Sequence, residues 1–235
     1  MPTVSASGSL QFPTLFELTK RVRREVTRET LSTLNDDPIN NVIVDSLNDG
    51  IEDIYYKNRW NWKKLQYNVP LVAAQQDYAL PPDFYQMAVE ATYNGLRLRE
   101  VDPEEWTRYT FDPTLTAQGG PAMYMVDRTL FRVFPAPSSG AITVCPTVGV
   151  TYYRRPPARL TITSDSSHAP DLPPEFIEAL VAFGKWKLKI HLQYDDFQLD
   201  EKRYMEAVQK QIENDYLSVH PVRLRPRRWT SANFG

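Results

Sequence analysis

The residue types that most often carry out chemistry are sparse in this sequence, and they are widely spaced. The three histidines, His168, His191 and His220, stand far apart in unlike contexts. A zinc site or a nucleophile–histidine–acid triad needs companions at defined spacing, and none accompanies them. The single cysteine, Cys145, excludes an internal disulfide and a CxxC metal site. No histidine or lysine lies near it in sequence to favour the thiolate, so it reads as a packed or edge residue. Carboxylates pair at Asp36-Asp37, Glu104-Glu105 and Asp195-Asp196. Helix capping accounts for the first and last, and Asp102-Pro103-Glu104-Glu105 opens a short helix carrying Trp106, where acids complement the helix dipole. A cleft hydrolase using Glu104 or Glu105 is the catalytic reading to weigh. There is no P-loop and no GxGxxG, and Gly119-Gly120 leads through Pro121 into a strand. The expectation is no enzyme, no cofactor and no metal.

Binding chemistry is better represented. The chain closes on HPVRLRPRRWTSANFG, in which Arg223, Arg225, Arg227 and Arg228 have no acid among them and stand beside Trp229 and Phe234. Arginine and tryptophan are the types that anchor interfaces. Pro221 and Pro226 keep such a segment extended, so it loses less entropy when laid on a partner. These six residues are the candidate partner-binding set of an extended basic arm, residues 219–235. KRVRRE supplies a second basic stretch. There Arg21, Arg24 and Arg28, with Trp106 and Tyr109, are candidates for contacts between copies. The alternative is a nucleic-acid-binding module built from this helix and the arm.

Composition bounds these readings. With 42% apolar and 24% charged residues and a net charge of -2, the 235 residues are ordinary for a globular chain. That charge argues against a surface gripping nucleic acid or acidic membrane throughout. The N-terminal stretch has neither the basic nor the apolar region of a signal peptide, and no apolar run approaches a membrane span. Nineteen prolines against nine glycines, with 13 tyrosines and 5 tryptophans, point to stiff connections and large anchoring side chains.

The elements that must position these groups fall into a helical part, a strand-rich part and a second helical part. Thr14 and Glu17 form a capping box ahead of Leu15, Leu18, Val22 and Val26. Asp37 as N-cap and Pro38 at the first helical position open a longer helix through Ile39, Val42, Ile43, Leu47, Ile51 and Ile54. From about residue 65 the period becomes two: Met87, Val89, Ala91 and Tyr93 lead to Asn94-Gly95, a type I′ turn, and back through Leu96 and Leu98. A second hairpin turns near Asp127-Arg128. The longest alternation, Ile142, Val144, Val148, Val150 and Tyr152, predicts a strand at an edge or bulged at Pro146. Helices return after Pro173-Pro174, and a last helix from Asp195 or Asp196 ends near Asn214 to Ser218. Residues 1–64 and 166–218 thus supply the halves of an antiparallel helical bundle, and 65–165 an inserted antiparallel β-sandwich or barrel-like module. The predicted fold class is α+β.

This order of features resembles the head-to-tail adaptor (connector) proteins of tailed phages. WNWKKLQYNVPLVAAQQDYALPPDFYQM is similar to the entry into their β module, with Gln75, Tyr78, Leu80, Pro81, Asp83 and Phe84 as its turn. GGPAMYMVDRTLFRVFPAP is similar to a further segment, through Gly119 or Gly120, Pro121, Tyr124, Pro135 and Pro137. VTYYRRPPARL resembles the exit strand and DLPPEFIEALVAFGKWKL the returning helix. The resemblance runs over about residues 15–217. It implies a virion protein at the head–tail interface, assembled in the host cytoplasm as a homo-oligomeric ring of about twelve copies. Such a ring docks beneath the portal protein, carries the tail or nozzle protein, and lets double-stranded DNA pass without specific binding. No membrane is implied.

Overall fold

In a computed structural model the described residues are 13–34, 37–111, 118–162 and 167–219. The arm residues Arg223, Arg225, Arg227, Arg228, Trp229 and Phe234, together with His220, lie outside them. The chain divides into two compact units, one from the residues up to Ile54 and from Leu160 onward, the other from Tyr55–Arg159.

The first unit is helical. α1 (Leu15–Thr27) begins at the expected capping box: Thr14 Oγ1 accepts from the Glu17 amide, and Glu17 returns a carboxylate to the Thr14 amide. α2 (Pro38–Lys57) begins with Asp37 accepting from the Ile39 amide at 2.8 Å. α5 (Ile177–His191) and α6 (Phe197–Val219) follow the second link. α6 runs past the predicted end at Asn214 to Ser218, because the proline that forbids continuation comes only at 221.

Leu15, Leu18 and Val22 of α1, Ile43, Leu47, Ile51 and Ile54 of α2, Leu180 and Leu188 of α5, and Tyr204 and Val208 of α6 are all nearly or fully buried. Two glycines let these helices close on one another. A Cβ at Gly184 of α5 would come within 3.1 Å of Val22 and 3.2 Å of Leu47, and one at Gly50 of α2 within 2.9 Å of Leu180 and 3.0 Å of Phe183. α5 therefore meets both α1 and α2, and its Phe183 ring packs edge-on to Tyr204 of α6 at 4.9 Å. Buried Asn48 exchanges two hydrogen bonds with the backbone of Leu160, each 2.9 Å.

The second unit holds the strands. β1 (Lys64–Pro70), β2 (Asp77–Ala79), β3 (Phe84–Met87), β4 (Thr92–Tyr93), β5 (Leu96–Arg97) and β6 (Arg99–Glu100) precede α3 (Pro103–Phe111). β7 (Gln118–Gly119), β8 (Met123–Asp127), β9 (Leu130–Phe134), β10 (Ala136–Pro137), α4 (Ser139–Val144) and β11 (Thr147–Arg154) follow. β11 pairs antiparallel with β1 along one side and with β3 and β4 along the other; β5 continues that sheet. A second sheet runs β2-β9-β8-β6, antiparallel except for the parallel β6–β8 pair, and β7 and β10 form a small parallel pair. Val69, Tyr93, Val148, Val150 and Tyr152 of the first sheet share one apolar core with Tyr78, Tyr124, Phe131 and Val133 of the second.

Both predicted hairpins form. Asn94 and Gly95 take φ of 49° and 76°, as a type I′ turn demands, and Arg128 takes φ 56° between β8 and β9. Three expectations need correction. Among the described residues the sheets do not close into a barrel, because no ladder joins them and β4, β5 and β6 are two residues each, too short to carry one around. The stretch from Met87 to Tyr93 is not one strand: β3 and β4 flank a break, and both pair with β11. Residues 139–144 are helical rather than the start of a long strand. Ser138 Oγ accepts from the Ala141 amide at 3.1 Å and caps this helix, so the spacing of Ile142 and Val144 belongs to a helix and not to strand alternation.

Gly50→Val places branched carbons where Leu180 and Phe183 already lie. It is expected to destabilise the helical unit by about 2–3 kcal/mol in urea unfolding, although valine is the better helix former. Asp45→Ala on the exposed side of α2 is expected to change stability by less than about 0.5 kcal/mol.

Candidate functional site

The described residues with catalytic potential do not converge. His168 lies in the link before α5, where its carbonyl accepts from the Leu15 amide at 2.9 Å, and His191 closes α5 on the exposed surface. Cys145 is half-buried, and its thiol donates to the Thr147 carbonyl at 3.2 Å. Glu105 bonds Arg99, whose guanidinium also donates to the Tyr109 hydroxyl at 3.2 Å. Asp102 caps α3 by accepting from the Glu105 amide at 2.7 Å. Among the described residues, no group of three or more His, Cys, Asp or Glu is arranged to hold a metal ion. No described helix is long and apolar enough to cross a membrane.

The candidate contact residues occupy unlike places. Trp106 is 6% exposed and packs with Val101, Met125 and Phe134, its ring edge-on to Phe134 at 6.4 Å. Tyr109 lies half-buried against the same Phe134 ring at 5.8 Å. Arg21 is bound at both ends of its fork, donating to Glu178 at 2.9 and 2.8 Å and to Glu25 at 3.0 Å. The same arginine, with Lys20, Arg24, Glu17 and Glu178, lines an open cleft of about 440 Å³ in which acids face the bases. Arg24 and Arg28 remain exposed, Arg28 in the left-handed conformation that ends α1. Helix 1 therefore presents fewer available cations than its sequence suggests.

The densest electrostatic feature escaped the sequence reading. Asp200, on α6, is 1% exposed and lies between Lys185 and Lys189 of α5, at 3.1 and 2.8 Å. Lys185 reaches Glu25 of α1 at 3.2 Å, and Lys189 reaches Asp196 at 2.6 Å. One turn separates the two lysines, so they share a face of α5, whereas Lys187 turns away and lies over the Trp186 ring at 4.2 Å. Burial opposes ionisation of Asp200, but Lys189 and Lys185 outweigh it and hold the carboxyl below the usual aspartate range. Asp196, read as a helix cap, directs its carboxylate to this cluster. The sequence did hold a signal: lysines four apart on a half-buried helix require an acid on the neighbour.

Beside the cluster, the Tyr204 hydroxyl donates to Asp53 of α2; burial and that carboxylate push its pKa strongly up. In the strand unit the Lys63 ammonium donates to the Tyr55 carbonyl, and burial lowers its pKa to about 8.

The residues that carried the connector resemblance do meet. The Tyr78 hydroxyl donates to the Gln75 carbonyl at 2.8 Å and accepts from the Val72 amide at 3.1 Å, clamping the loop between β1 and β2. The Tyr152 hydroxyl donates to Asp83 at 2.9 Å; burial first and that carboxylate second push its pKa up to about 12. Arg155 donates to the Phe84 carbonyl from its side chain and to the Asp83 carbonyl from its amide, both at 2.7 Å. A Cβ at Gly120 would come within 3.0 Å of the Tyr93 ring. These side chains build loops and hold strands rather than form a pocket.

A family model described as SU10 adaptor protein matches residues 13–233. The match extends beyond the motifs legible by eye and takes in Arg223, Arg225, Arg227, Arg228 and Trp229. No curated protein matches the chain.

Asp200→Asn removes the buried anion between two half-buried lysines. At pH 7 it is expected to cost about 3 kcal/mol or more of stability. Because the folded-state pKa is depressed, the native contribution is complete above the ordinary aspartate range and is lost as pH falls through the lower folded value. The gap between native chain and variant, measured by urea unfolding, should therefore narrow toward pH 2.

Proposed function

The chain belongs to the SU10 adaptor protein family, a family of phage head–tail adaptors, and from that premise we propose that it is a structural virion protein that forms a ring beneath the portal. In this reading about twelve copies close around the DNA channel, extend it, and offer the attachment surface for the tail or nozzle. The observation that carries the reading is the family match over residues 13–233. The proposal includes a helical bundle interrupted by the strand module, no catalytic role, and assembly in the host cytoplasm before incorporation into the particle.

The charge distribution agrees with passage of DNA rather than its capture. Net charge is -2, and Arg21 and Arg23 of α1 are engaged by Glu25, Glu178, Glu29 and Asp37. Each phosphate contact would add affinity and slow the sliding duplex. Exposed Arg24 and Arg28 and the arm, with Arg223, Arg225, Arg227, Arg228, Trp229 and Phe234, are left to meet protein. Trp106 and Tyr109 in this reading act from within, by shaping the surface that α3 offers.

Mass photometry of the purified chain, alone and mixed with portal particles of its phage, tests the proposal. The expected species are a monomer and a closed ring, with the ring bound to portal. A stable dimer that ignores portal would reject the reading. Deleting residues 220–235 is expected to weaken assembly at least tenfold while leaving the unfolding midpoint unchanged. Duplex-DNA affinity that falls steeply with salt, at about -0.9 log units per phosphate contact, would favour the nucleic-acid alternative.

A further inference from the structure

The strand unit has one long open edge. β1 spans seven residues, Lys64–Pro70, and pairs with β11 on one side only. Among the described residues no other segment contributes a backbone hydrogen bond to its outer side. Nor is the edge shielded, since Lys64, Leu65, Gln66, Asn68 and Pro70 are all exposed. Exposed edges are usually protected by charges, prolines, bulges or shortness. Here Lys64 and Pro70 guard the ends, while the five residues between carry no charge and keep an unbroken register with β11 from Leu65↔Tyr152 to Val69↔Val148.

The face of that edge is also unfinished. Leu65, Tyr67 and Val69 pair with Tyr152, Val150 and Val148, so all six point to the core side of the sheet. On β11 these residues are 4%, 1% and 0% exposed, whereas on β1 Leu65 is 37% exposed and Tyr67 half-buried, Val69 alone being covered at 1%. The apolar layer runs to the rim and stops without a covering strand. Gln66 and Asn68 point to the opposite, polar face.

The chain itself contains a segment with the complementary pattern. Between Pro221 and Pro226 stand Val222, Arg223, Leu224 and Arg225, apolar and basic in strict alternation. Such a segment can lay Val222 and Leu224 beside Leu65 and Tyr67 while Arg223 and Arg225 take the face of Gln66 and Asn68. The prolines at either end limit the addition to four residues, which also prevents it from templating further strands. We propose that Val222–Arg225 of one copy adds as a strand to the β1 edge of the next copy. The inference rests on the multi-copy reading above and gives the arm a sideways partner. Contacts of this heterologous kind, repeated around an axis, close a ring. Main-chain bonds would supply the attachment and the alternating side chains the register.

Disulfide trapping in a Cys145→Ser background tests it. Neighbouring strands lie about 4.8 Å apart, within the reach of a disulfide. Chains carrying Gln66→Cys are mixed with chains carrying Arg223→Cys or Leu224→Cys, assembled on portal particles, oxidised and resolved without reductant. The expected result is a cross-linked dimer with Arg223→Cys and none with Leu224→Cys, which should instead trap Leu65→Cys if the added strand is antiparallel or Tyr67→Cys if it is parallel. Arg223→Pro and Leu224→Pro provide a second readout. One of the two removes a ladder donor and should weaken assembly about tenfold, and the other, facing away, should do so far less. A chain carrying both cysteines that closes on itself as a monomer would overturn the exchange between copies. Rings that form on portal without any of these cross-links, and with both proline variants assembling normally, would overturn the strand addition and leave the adaptor reading standing. Absence of any assembly on portal would overturn the adaptor reading and the inference with it.

Discussion

The helical unit is organised around a carboxylate that water does not reach. Asp200 loses hydration on folding, and the ammonium groups of Lys185 and Lys189 compensate, with the Arg203 guanidinium at 3.5 Å. Apolar stripes on α1, α2, α5 and α6 attract one another without direction, so they would tolerate a shift of one helix along another. The ion cluster would not, because a shift by one residue turns Asp200 away from both lysines and leaves the buried charge only the partly exposed Arg203 of its own helix. Glu25 and Asp196 extend the same constraint to α1 and to the start of α6. Burial holds the helices together, and this cluster selects their register. The glycines at 50 and 184 let α5 approach α2 and α1 closely.

The strand unit reaches a comparable rigidity through tyrosine hydroxyls. Tyr78, Tyr93, Tyr124 and Tyr152 each place a ring in the common core and a hydroxyl on a polar group at its margin: a loop carbonyl, the Ala141 carbonyl, Glu100 and Asp83. A buried phenol needs such a partner, so each ring is fixed in rotation as well as in depth. This accounts for four of the 13 tyrosines. It also explains why short strands suffice, since the hydroxyl contacts tie loops that no ladder reaches.

Legibility followed the range of the interaction. The capping box at Thr14 and Glu17, the cap at Asp37, the Asn94-Gly95 turn and the short helix after Asp102 are decided within four residues, and the sequence displays them directly. For the helix at Ser139–Val144, period two over Ile142 and Val144 is too short to separate strand from helix, and only the Ser138 cap decides between them. The Asp200 cluster joins residues on three helices, so no local pattern marks the acid that two lysines await. The connector motifs were visible as spacing but not as mechanism. Only the fold shows that Asp83, Phe84, Tyr152 and Arg155 fasten the start of β3 to the end of β11.

These internal demands determine what remains for assembly. Arg21, Arg23, Lys185 and Lys189 are committed to acids of their own unit, and Trp106 to its own small core. Four of the chain's 27 lysines and arginines are engaged in this way, and what the chain can offer a neighbour is backbone, exposed side chains and the arm. Backbone pairing is well suited to a ring, because a strand edge accepts only a strand and does so at one spacing. The β1 rim, with its bare apolar margin, has that property. A four-residue strand is weak by itself, but once one contact holds two copies together, each further one forms at high effective concentration. In the proposed ring, modest attachment per copy would permit copies to enter and leave during assembly while the completed circle holds.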